Sequence, residues 1–283
     1  MRRATFLLPI LLLAMAASAS PSEKNGTFTT TDGVKLHYLE AGQGPAILFI
    51  PGWTMSAEIW RKQIDYFSAH YHVVAVDPRS QGDSDKPADG NYPERRSKDY
   101  KELVDALKLS PVVLVGWSMG VPEIMSYVEQ FGTDNVRGLV LVDGFIGLDP
   151  SLEFYKAISG MMIRQQMDRR GATTRFVRSM YKKPQSDAYF DKVVEDSLKT
   201  PTNTAVTLIA NMLGRDYRPL LPKINCPIYN AITTDSKNFL SQLQVPANMR
   251  VDVYEDAAHA LFVDDADRFS HSVDDFIKAI PAK

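Results

Sequence analysis

Short, fully apolar runs alternate with stretches of helix-like spacing along most of this 283-residue chain. The clearest apolar runs are residues 46–50, 112–115 and 139–142. A strand that is apolar on both faces is typical of a parallel sheet, because the helices that return the chain cover each face. The alternation therefore predicts an α/β fold with a doubly wound, mostly parallel sheet.

Eight runs are predicted to be strands, and two breaks in the alternation define the domain organisation. The strands are residues 27–31, 34–39, 46–50, 73–76, 112–115, 139–142, 227–232 and 250–254. Asp32-Gly33 joins the first two, which is a strong hairpin signal. Between residues 145 and 220, helical segments follow one another without a clear strand, and this is too long for a plain loop. We therefore predict a core of residues 20–144 and 221–283, with a helical cap (145–220) after the sixth strand.

Residues 1–19 have the composition of a secretory signal peptide. Arg2 and Arg3 precede an apolar run, and Ala17-Ser18-Ala19 fits an A-x-A cleavage site. The apolar run is too short to span a bilayer. We expect cleavage after Ala19, a secreted or periplasmic mature protein, and no integral membrane segment in it; a retained membrane anchor is the alternative.

The composition disfavours several classes of function. Lys and Arg number 32 against 34 Asp and Glu, and a formal net charge of −2 argues against a nucleic-acid partner. The few His and Cys residues are scattered, and no G-x-G-x-x-G or P-loop is present, so we expect neither a metal nor a cofactor. The expected partner is a small-molecule substrate. Residues 156–183 carry eight basic side chains against the single acid Asp168, which indicates either a solvated helix face or attraction of anionic substrates or surfaces.

The sequence Gly116-Trp117-Ser118-Met119-Gly120 follows an apolar run and opens a helix-like stretch. This is the pattern of a nucleophile elbow, where a sharp strand-to-helix turn exposes a serine hydroxyl. A serine hydroxyl becomes nucleophilic only when a base removes its proton, and a third group must orient that base. Ser118 is therefore the candidate nucleophile, and it requires a histidine and an acid.

His259 is the candidate base, because it alone among the five histidines lies in a loop directly after a strand end and before the last helix. Two aspartates compete for the third role. Asp235 follows the predicted seventh strand and gives the chain order Ser, Asp, His of this kind of site, so it is preferred. Asp143, which closes the predicted sixth strand near the elbow, is the alternative acid.

Acyl transfer also needs two N–H groups that stabilise the oxyanion. One candidate is the backbone N–H of Met119 at the start of the helix, where the helix dipole is favourable. The other is the N–H of Trp53, in the turn after residues 46–50, where Gly52 permits a close backbone approach. Pro51 has no N–H and cannot take this role.

These motifs together resemble the α/β-hydrolase superfamily, in particular its cap-bearing esterase, haloperoxidase-like and lactonase-like branch. Residues 77–84, Asp-Pro-Arg-Ser-Gln-Gly-Asp-Ser, are similar to the family's D-x-R-G-x-G-x-S loop, with Ser80 in place of a glycine. Residues 256–259 are similar to its catalytic histidine loop. Many relatives have His-Gly where this chain has Pro51-Gly52, so the resemblance implies that hydrogen bonds supporting the oxyanion loop are lost.

The expected function is that of a secreted serine hydrolase that cleaves a carboxylic ester or a related acyl substrate through an acyl-enzyme. The alternatives are a lactone or amide hydrolase, of the acyl-homoserine lactonase or aminopeptidase type, and a non-catalytic ligand-binding homologue. The basic segment disfavours the cationic substrate of an aminopeptidase. A serine at the elbow disfavours the haloalkane dehalogenase and epoxide hydrolase branches, whose chemistry requires a carboxylate nucleophile.

Overall fold

The computed structural model describes residues 23–147, 151–237 and 243–281. One eight-stranded sheet has the strand order β1-β2-β4-β3-β5-β6-β7-β8. The pairs β1/β2 and β2/β4 are antiparallel, and the other pairs are parallel. The strands are β1 Lys24–Thr29, β2 Lys35–Ala41, β3 Ala46–Ile50, β4 His72–Val76, β5 Val112–Trp117, β6 Val136–Val142, β7 Ile228–Thr233 and β8 Met249–Tyr254. The predicted eight-stranded, mostly parallel sheet is confirmed.

Helices cover both faces of this sheet and the carboxyl edge of its central strands. They are α1 Arg61–Phe67, α2 Pro93–Ala106, α3 Gly120–Phe131, α4 Leu152–Met167, α5 Arg169–Ser179, α6 Asp187–Leu198, α7 Thr202–Met212, α8 Leu261–Asp264 and α9 Ala266–Ala279, with 3-10 helices at Ala57–Trp60 and Arg218–Lys223. Helices α4 to α7 lie between β6 and β7, and we call them the cap. In the part of the chain described, no helix is both long and apolar enough to span a bilayer.

The apolar character of the central strands follows from their position between two cores. In β5, Val113 and Val115 belong to one apolar cluster, whereas Val112 and Leu114 belong to another on the opposite face. All four side chains are fully buried. Successive side chains of a strand point to opposite faces, so a strand with helices on both sides must be apolar at every position.

The first strand begins and ends earlier than predicted. Residues 27–31 were expected, but β1 covers Lys24–Thr29 because Thr30 belongs to the hairpin turn. The carbonyl of Thr30 accepts a hydrogen bond from the N–H of Gly33 (2.9 Å), and its own N–H donates to the carbonyl of Val34 (2.9 Å). The predicted signal peptide, residues 1–19, lies outside the described residues.

The strand register brings the candidate site together at the carboxyl edge of the sheet. Trp117 in β5 is opposite Val142 in β6, so the next residues, Ser118 and Asp143, leave neighbouring strands side by side. Ligands of open α/β sheets bind outside this edge. The sheet therefore places the elbow serine and one of the two candidate acids at the same end.

Candidate active site

Ser118 lies on the sharp turn between β5 and α3. Its φ of 55° is in the left-handed region, which is unusual for a residue with a side chain. Its N–H donates to the carbonyl of Val142 (2.9 Å), and its carbonyl accepts from the N–H of Val121 (3.0 Å). A Cβ on Gly116 would lie 2.6 Å from the carbonyl oxygen of Gly120, so the turn excludes a side chain there. This is the strained geometry expected of a nucleophile elbow.

The structure joins His259 to Asp143. Nδ1 of His259 lies 2.8 Å from Oδ2 of Asp143. The other carboxylate oxygen, Oδ1, accepts hydrogen bonds from the backbone N–H and the hydroxyl of Thr233, both at 3.0 Å. Because one oxygen is held by β7 and the other faces the imidazole, the carboxylate has a fixed orientation. An acid held in this way can fix the tautomer of the histidine and stabilise the imidazolium.

The electrostatics of Asp143 keep its carboxylate ionised. Burial raises the pKa of this carboxyl, but the hydrogen bond and coulombic interaction with His259, with hydrogen bonds from Ser236 and the Thr233 backbone, outweigh it. The net result is a pKa below the ordinary value of 3.8. At neutral pH the group is therefore a carboxylate that accepts the Nδ1–H of His259.

Asp235, the acid that the sequence favours, lies elsewhere. It is exposed in the turn after β7, and the structure does not bring its carboxylate together with His259. The strand ends at Thr233, whose polar groups bind Asp143, and Asp235 follows on the solvent side of that turn. The structure thus brings Asp143, and not Asp235, together with His259; Asp143 leaves β6, the strand next to β5, whereas Asp235 follows β7, one strand further away.

Trp117, the residue before Ser118, is hydrogen-bonded to the loop that contains His259. Its indole Nε1 donates to the carbonyl of His259 (2.8 Å), and the two rings are 5.1 Å apart. On the other side of the histidine, the N–H of Ala258 donates to Asp264 (2.9 Å) and the N–H of Ala260 donates to the carbonyl of Met180 in the cap (2.8 Å). Sequence reasoning missed Trp117, and its bulk at the second position of the elbow was the available signal.

The predicted oxyanion donors both lie beside Ser118. Met119 directly precedes α3, and a Cβ on Gly52 would lie 3.0 Å from the Cβ of Ser118, which places the Trp53 turn against the elbow. Within the described residues, the backbone N–H groups of Trp53 and Met119 donate to no carbonyl or side chain. Free N–H groups next to a nucleophile suit an oxyanion site.

A buried hydrogen-bond network supports the turn that contains Trp53, a predicted oxyanion donor. The amide Nε2 of Gln81 donates to the carbonyls of Gly52 (3.0 Å) and Met55 (2.7 Å). Arg96 Nη2 donates to the amide oxygen of Gln81 (2.9 Å), and Arg96 forms an ion pair with Glu123 of α3 at 2.7 Å, both side chains being 1% exposed. Gln81 belongs to the 77–84 loop. Its hydrogen bonds therefore support the turn that contains Trp53, although Pro51 stands where many relatives have a histidine.

Changing Gln81 to glutamate should lower kcat about 10- to 100-fold with a smaller effect on KM, because a displaced oxyanion donor weakens transition-state binding most. Glutamate has the same length, but it cannot donate to the two carbonyls. Gln63→Glu is the matched control: Gln63 is also fully buried and donates to one carbonyl, that of Phe262 (2.8 Å). Steady-state kinetics and unfolding temperatures of both variants test this. If the Gln81 and Gln63 variants lost kcat equally and had equally lowered unfolding temperatures, a positioning role for Gln81 would be contradicted.

The cap closes the site with apolar side chains. Trp53 and Met119 pack in one cluster with Leu208 and Met212 of α7, and Phe145 lies against it. The cap is also bonded to the oxyanion turn, since the indole Nε1 of Trp53 donates to the carbonyl of Ala205 (2.8 Å). A second link is the 2.7 Å hydrogen bond between the hydroxyls of Thr54 and Ser197. The space above Trp53 and Met119 is therefore apolar and bounded by the cap.

One group of potential metal ligands occurs in the described part of the chain, and it lies outside this site. Ligand atoms of His37, Asp77 and Asp83 are within 4.8 Å of one another. Asp77 already accepts hydrogen bonds from His37 (2.8 Å) and from the N–H groups of Ala57 (2.6 Å) and Asp83 (2.7 Å). These contacts give the carboxylate a structural role in the 77–84 loop.

The eight-stranded sheet, with the strained turn of Ser118 at its carboxyl edge, has the architecture of an α/β hydrolase. Comparison with known proteins identifies the family. The family model described as alpha/beta hydrolase fold matches residues 45–266. This chain belongs to that hydrolase family.

Individual similarities agree with this family. A non-heme chloroperoxidase of Streptomyces lividans is 37% identical over 120 residues, which are 41% of this chain and 44% of that protein. A bifunctional esterase/perhydrolase of Acinetobacter calcoaceticus is 34% identical over 120 residues, with the same coverage of 41% and 44%. The matched segment thus spans less than half the length of either relative. An esterase from Exiguobacterium antarcticum has a TM-score of 0.82 at 20% identity, covering 90% of this chain and 100% of that one, which shows a shared fold.

Proposed function

We propose that this chain is a serine hydrolase that cleaves a carboxylic ester or a related acyl substrate through an acyl-enzyme. Ser118 is the nucleophile, His259 the general base and acid, and Asp143 the group that orients the imidazole. The observation that carries the proposal is the hydrogen bond from His259 Nδ1 to Asp143 Oδ2 (2.8 Å) at the sheet edge where Ser118 sits on its elbow.

The reaction follows from the roles of these groups. Asp143 accepts the Nδ1–H of His259, which leaves Nε2 free to take the proton of the Ser118 hydroxyl. The serine oxygen adds to the ester carbonyl, and the N–H groups of Trp53 and Met119 stabilise the oxyanion. His259 then returns the proton to the leaving-group oxygen as the C–O bond breaks. Water repeats the sequence on the acyl-enzyme and regenerates the serine.

The surroundings of the oxyanion donors favour an apolar acyl group. The cap side chains above them, Leu208 and Met212 among others, are apolar. The relative from Acinetobacter calcoaceticus named as an esterase/perhydrolase supports ester over amide chemistry. We therefore propose an aliphatic or aromatic acyl ester as the substrate class.

A panel of p-nitrophenyl esters of increasing acyl length, together with a fluorophosphonate probe, tests this function. We expect turnover of the esters and covalent modification that peptide mass spectrometry places on Ser118. Hydrolysis of lactones or amides without hydrolysis of esters would favour the alternative chemistry. Binding of esters without turnover or probe labelling would favour a ligand-binding homologue.

We also propose that the protein is exported and processed after Ala19, as its first residues suggest. Expression of the full chain in a bacterial host followed by N-terminal sequencing of the exported product tests this. We expect Ser20 as the first residue. An exported or membrane-bound product that retains Met1 would contradict the processing.

A further inference from the structure

A cavity of about 110 Å³ adjoins the proposed catalytic pair and is not used by the mechanism above. His259 and Asp143 form part of its wall. Asn230, Ile232 and Phe145 also line it, so the cavity extends from the sheet edge along β7. It is a partly enclosed space with both polar and apolar walls beside the imidazole.

Asn230 is the unusual residue of this cavity. It lies in the middle of β7, opposite Leu141 and Val251, and is only 4% exposed. Its side-chain amide makes no hydrogen bond to any residue that the structure describes, whereas the hydroxyl of the preceding Tyr229 bonds to Tyr254 (3.0 Å) on the other face. Buried polar groups are nearly always hydrogen-bonded. The Asn230 amide instead opens into the cavity, where a bound polar group can supply the hydrogen bonds that the described residues do not.

The charges around the cavity favour a neutral ligand. Arg218 lines it, but its guanidinium is paired with Asp216 through bonds of 2.7 and 2.5 Å. Asp143 is paired with His259. Apolar walls such as Ile232 and Phe145 suit an alkyl segment. Since an apolar cavity of about 150 Å³ takes up benzene, this one accommodates roughly four or five non-hydrogen atoms.

The position of the cavity indicates which portion of an ester, the acyl group or the alcohol, would lie next to it. In acyl transfer the imidazole protonates the leaving-group oxygen, while the oxyanion donors hold the carbonyl oxygen. The cavity is bounded by His259 and Asp143, whereas Trp53 and Met119 lie outside its wall, in the apolar cluster under α7. This arrangement favours an acyl chain under the cap and an alcohol portion directed toward the cavity.

We propose that this cavity is the leaving-group subsite and that it takes a short, neutral alcohol with a terminal hydroxyl, which the Asn230 amide binds. The inference rests on the proposed ester hydrolysis and names the alcohol side of its substrate. As the acyl C–O bond breaks, His259 transfers its Nε2 proton to the ester oxygen. The products of this step are the free diol and acylated Ser118.

Esters of one acid with different alcohols test the subsite. Butanoates of diols with two to five carbons are compared with n-alkyl butanoates of equal numbers of non-hydrogen atoms. At the best-fitting length, the hydroxyl-terminated ester should have a kcat/KM about 3- to 10-fold higher, the contribution of one hydrogen bond. Asn230→Leu, which has a similar volume and no amide, should abolish or reverse this preference.

Two further variants separate the subsite from general effects on stability. Asn248→Leu is the matched control, because Asn248 donates to the carbonyls of Ile224 (2.9 Å) and Cys226 (2.7 Å). It should lower the unfolding temperature and leave the alcohol preference unchanged. Asn230→Leu should not lower the unfolding temperature, since it removes an amide that makes no hydrogen bond to the described residues. If leucine prevents folding, Asn230→Ala serves instead and should also accept longer alkyl alcohols.

The outcomes distinguish this inference from the proposed function. Hydrolysis of all esters with no preference for a terminal hydroxyl would overturn the subsite and leave the hydrolase intact. A preference that persists in both Asn230 variants would overturn the role of this residue. Failure of the parental chain to hydrolyse any ester of the series would overturn the proposed function itself.

Discussion

Replacing Ser118 with alanine should lower kcat for p-nitrophenyl butanoate about 10⁵- to 10⁶-fold, leaving only the rate enhancement from binding and the oxyanion donors. The variant removes the attacking oxygen and nothing else, because Ser118 makes its described hydrogen bonds through its backbone. Alanine retains the strained φ of 55°, so the unfolding temperature should change little. Progress curves at high enzyme concentration and a thermal melt measure both quantities.

Ser126→Ala is the matched control for this experiment. Ser126 is fully buried in α3, the helix that the elbow opens, and its hydroxyl contacts Ser97 and Gln130 instead of the site. This variant should keep kcat within about 3-fold, since only weak side-chain hydrogen bonds are lost. A Ser118→Ala protein with more than a few per cent of the parental rate would contradict the role of Ser118 as nucleophile.

Much of the fold could be predicted because burial on two faces leaves a local signature. Residues 112–115 are apolar without interruption, and their side chains alternate between the two cores on opposite faces of the sheet. The hairpin was equally local, since Asp32-Gly33 encodes its turn. The boundary error in β1 arose at Thr30, whose polar and β-favouring character suits a turn as well as a strand.

The candidate site was only partly predictable, because its contacts join residues far apart in the chain. The elbow and the histidine loop each have a local pattern. The choice between Asp143 and Asp235 depends on which strand lies next to β5, and no local pattern records that order. Support of the oxyanion turn likewise comes from Gln81, 29 residues from Gly52.

The basic segment, residues 156–183, shows the same limit. Several of its arginines have partners that the sequence could not identify. Arg170 pairs with Glu195 (2.5 Å), Arg175 with Asp168 (3.5 Å) and Arg178 with Asp187 (3.1 Å). Exposed ion pairs of this kind contribute little to stability, but they reduce the local field. The pairing favours a solvated helix face over a surface that attracts anions.

Asp143→Asn should lower kcat for the same ester about 10⁴-fold, the size of the loss that the equivalent change causes in a serine protease. The expected mechanism is a change of tautomer. Thr233 donates two hydrogen bonds to Oδ1, so the asparagine oxygen takes that position and its NH₂ group faces Nδ1 of His259. Nδ1 must then accept a hydrogen bond, which places the proton on Nε2. A histidine in that state cannot take the proton of Ser118.

Asp235→Asn is the comparison that distinguishes the two candidate acids, because it makes the same chemical change at the exposed turn after β7. Its kcat/KM should stay within about 2-fold of the parental value, as surface substitutions away from a site have small effects. Both variants are to be measured with the ester panel, with unfolding temperatures recorded. A large loss in Asp235→Asn with a small one in Asp143→Asn would mean that the working enzyme pairs His259 with the other strand end. In that case the acid would have to reach the imidazole from beyond Thr233, and the hydrogen bonds of Asp143 to Thr233 would serve only to join β6 and β7.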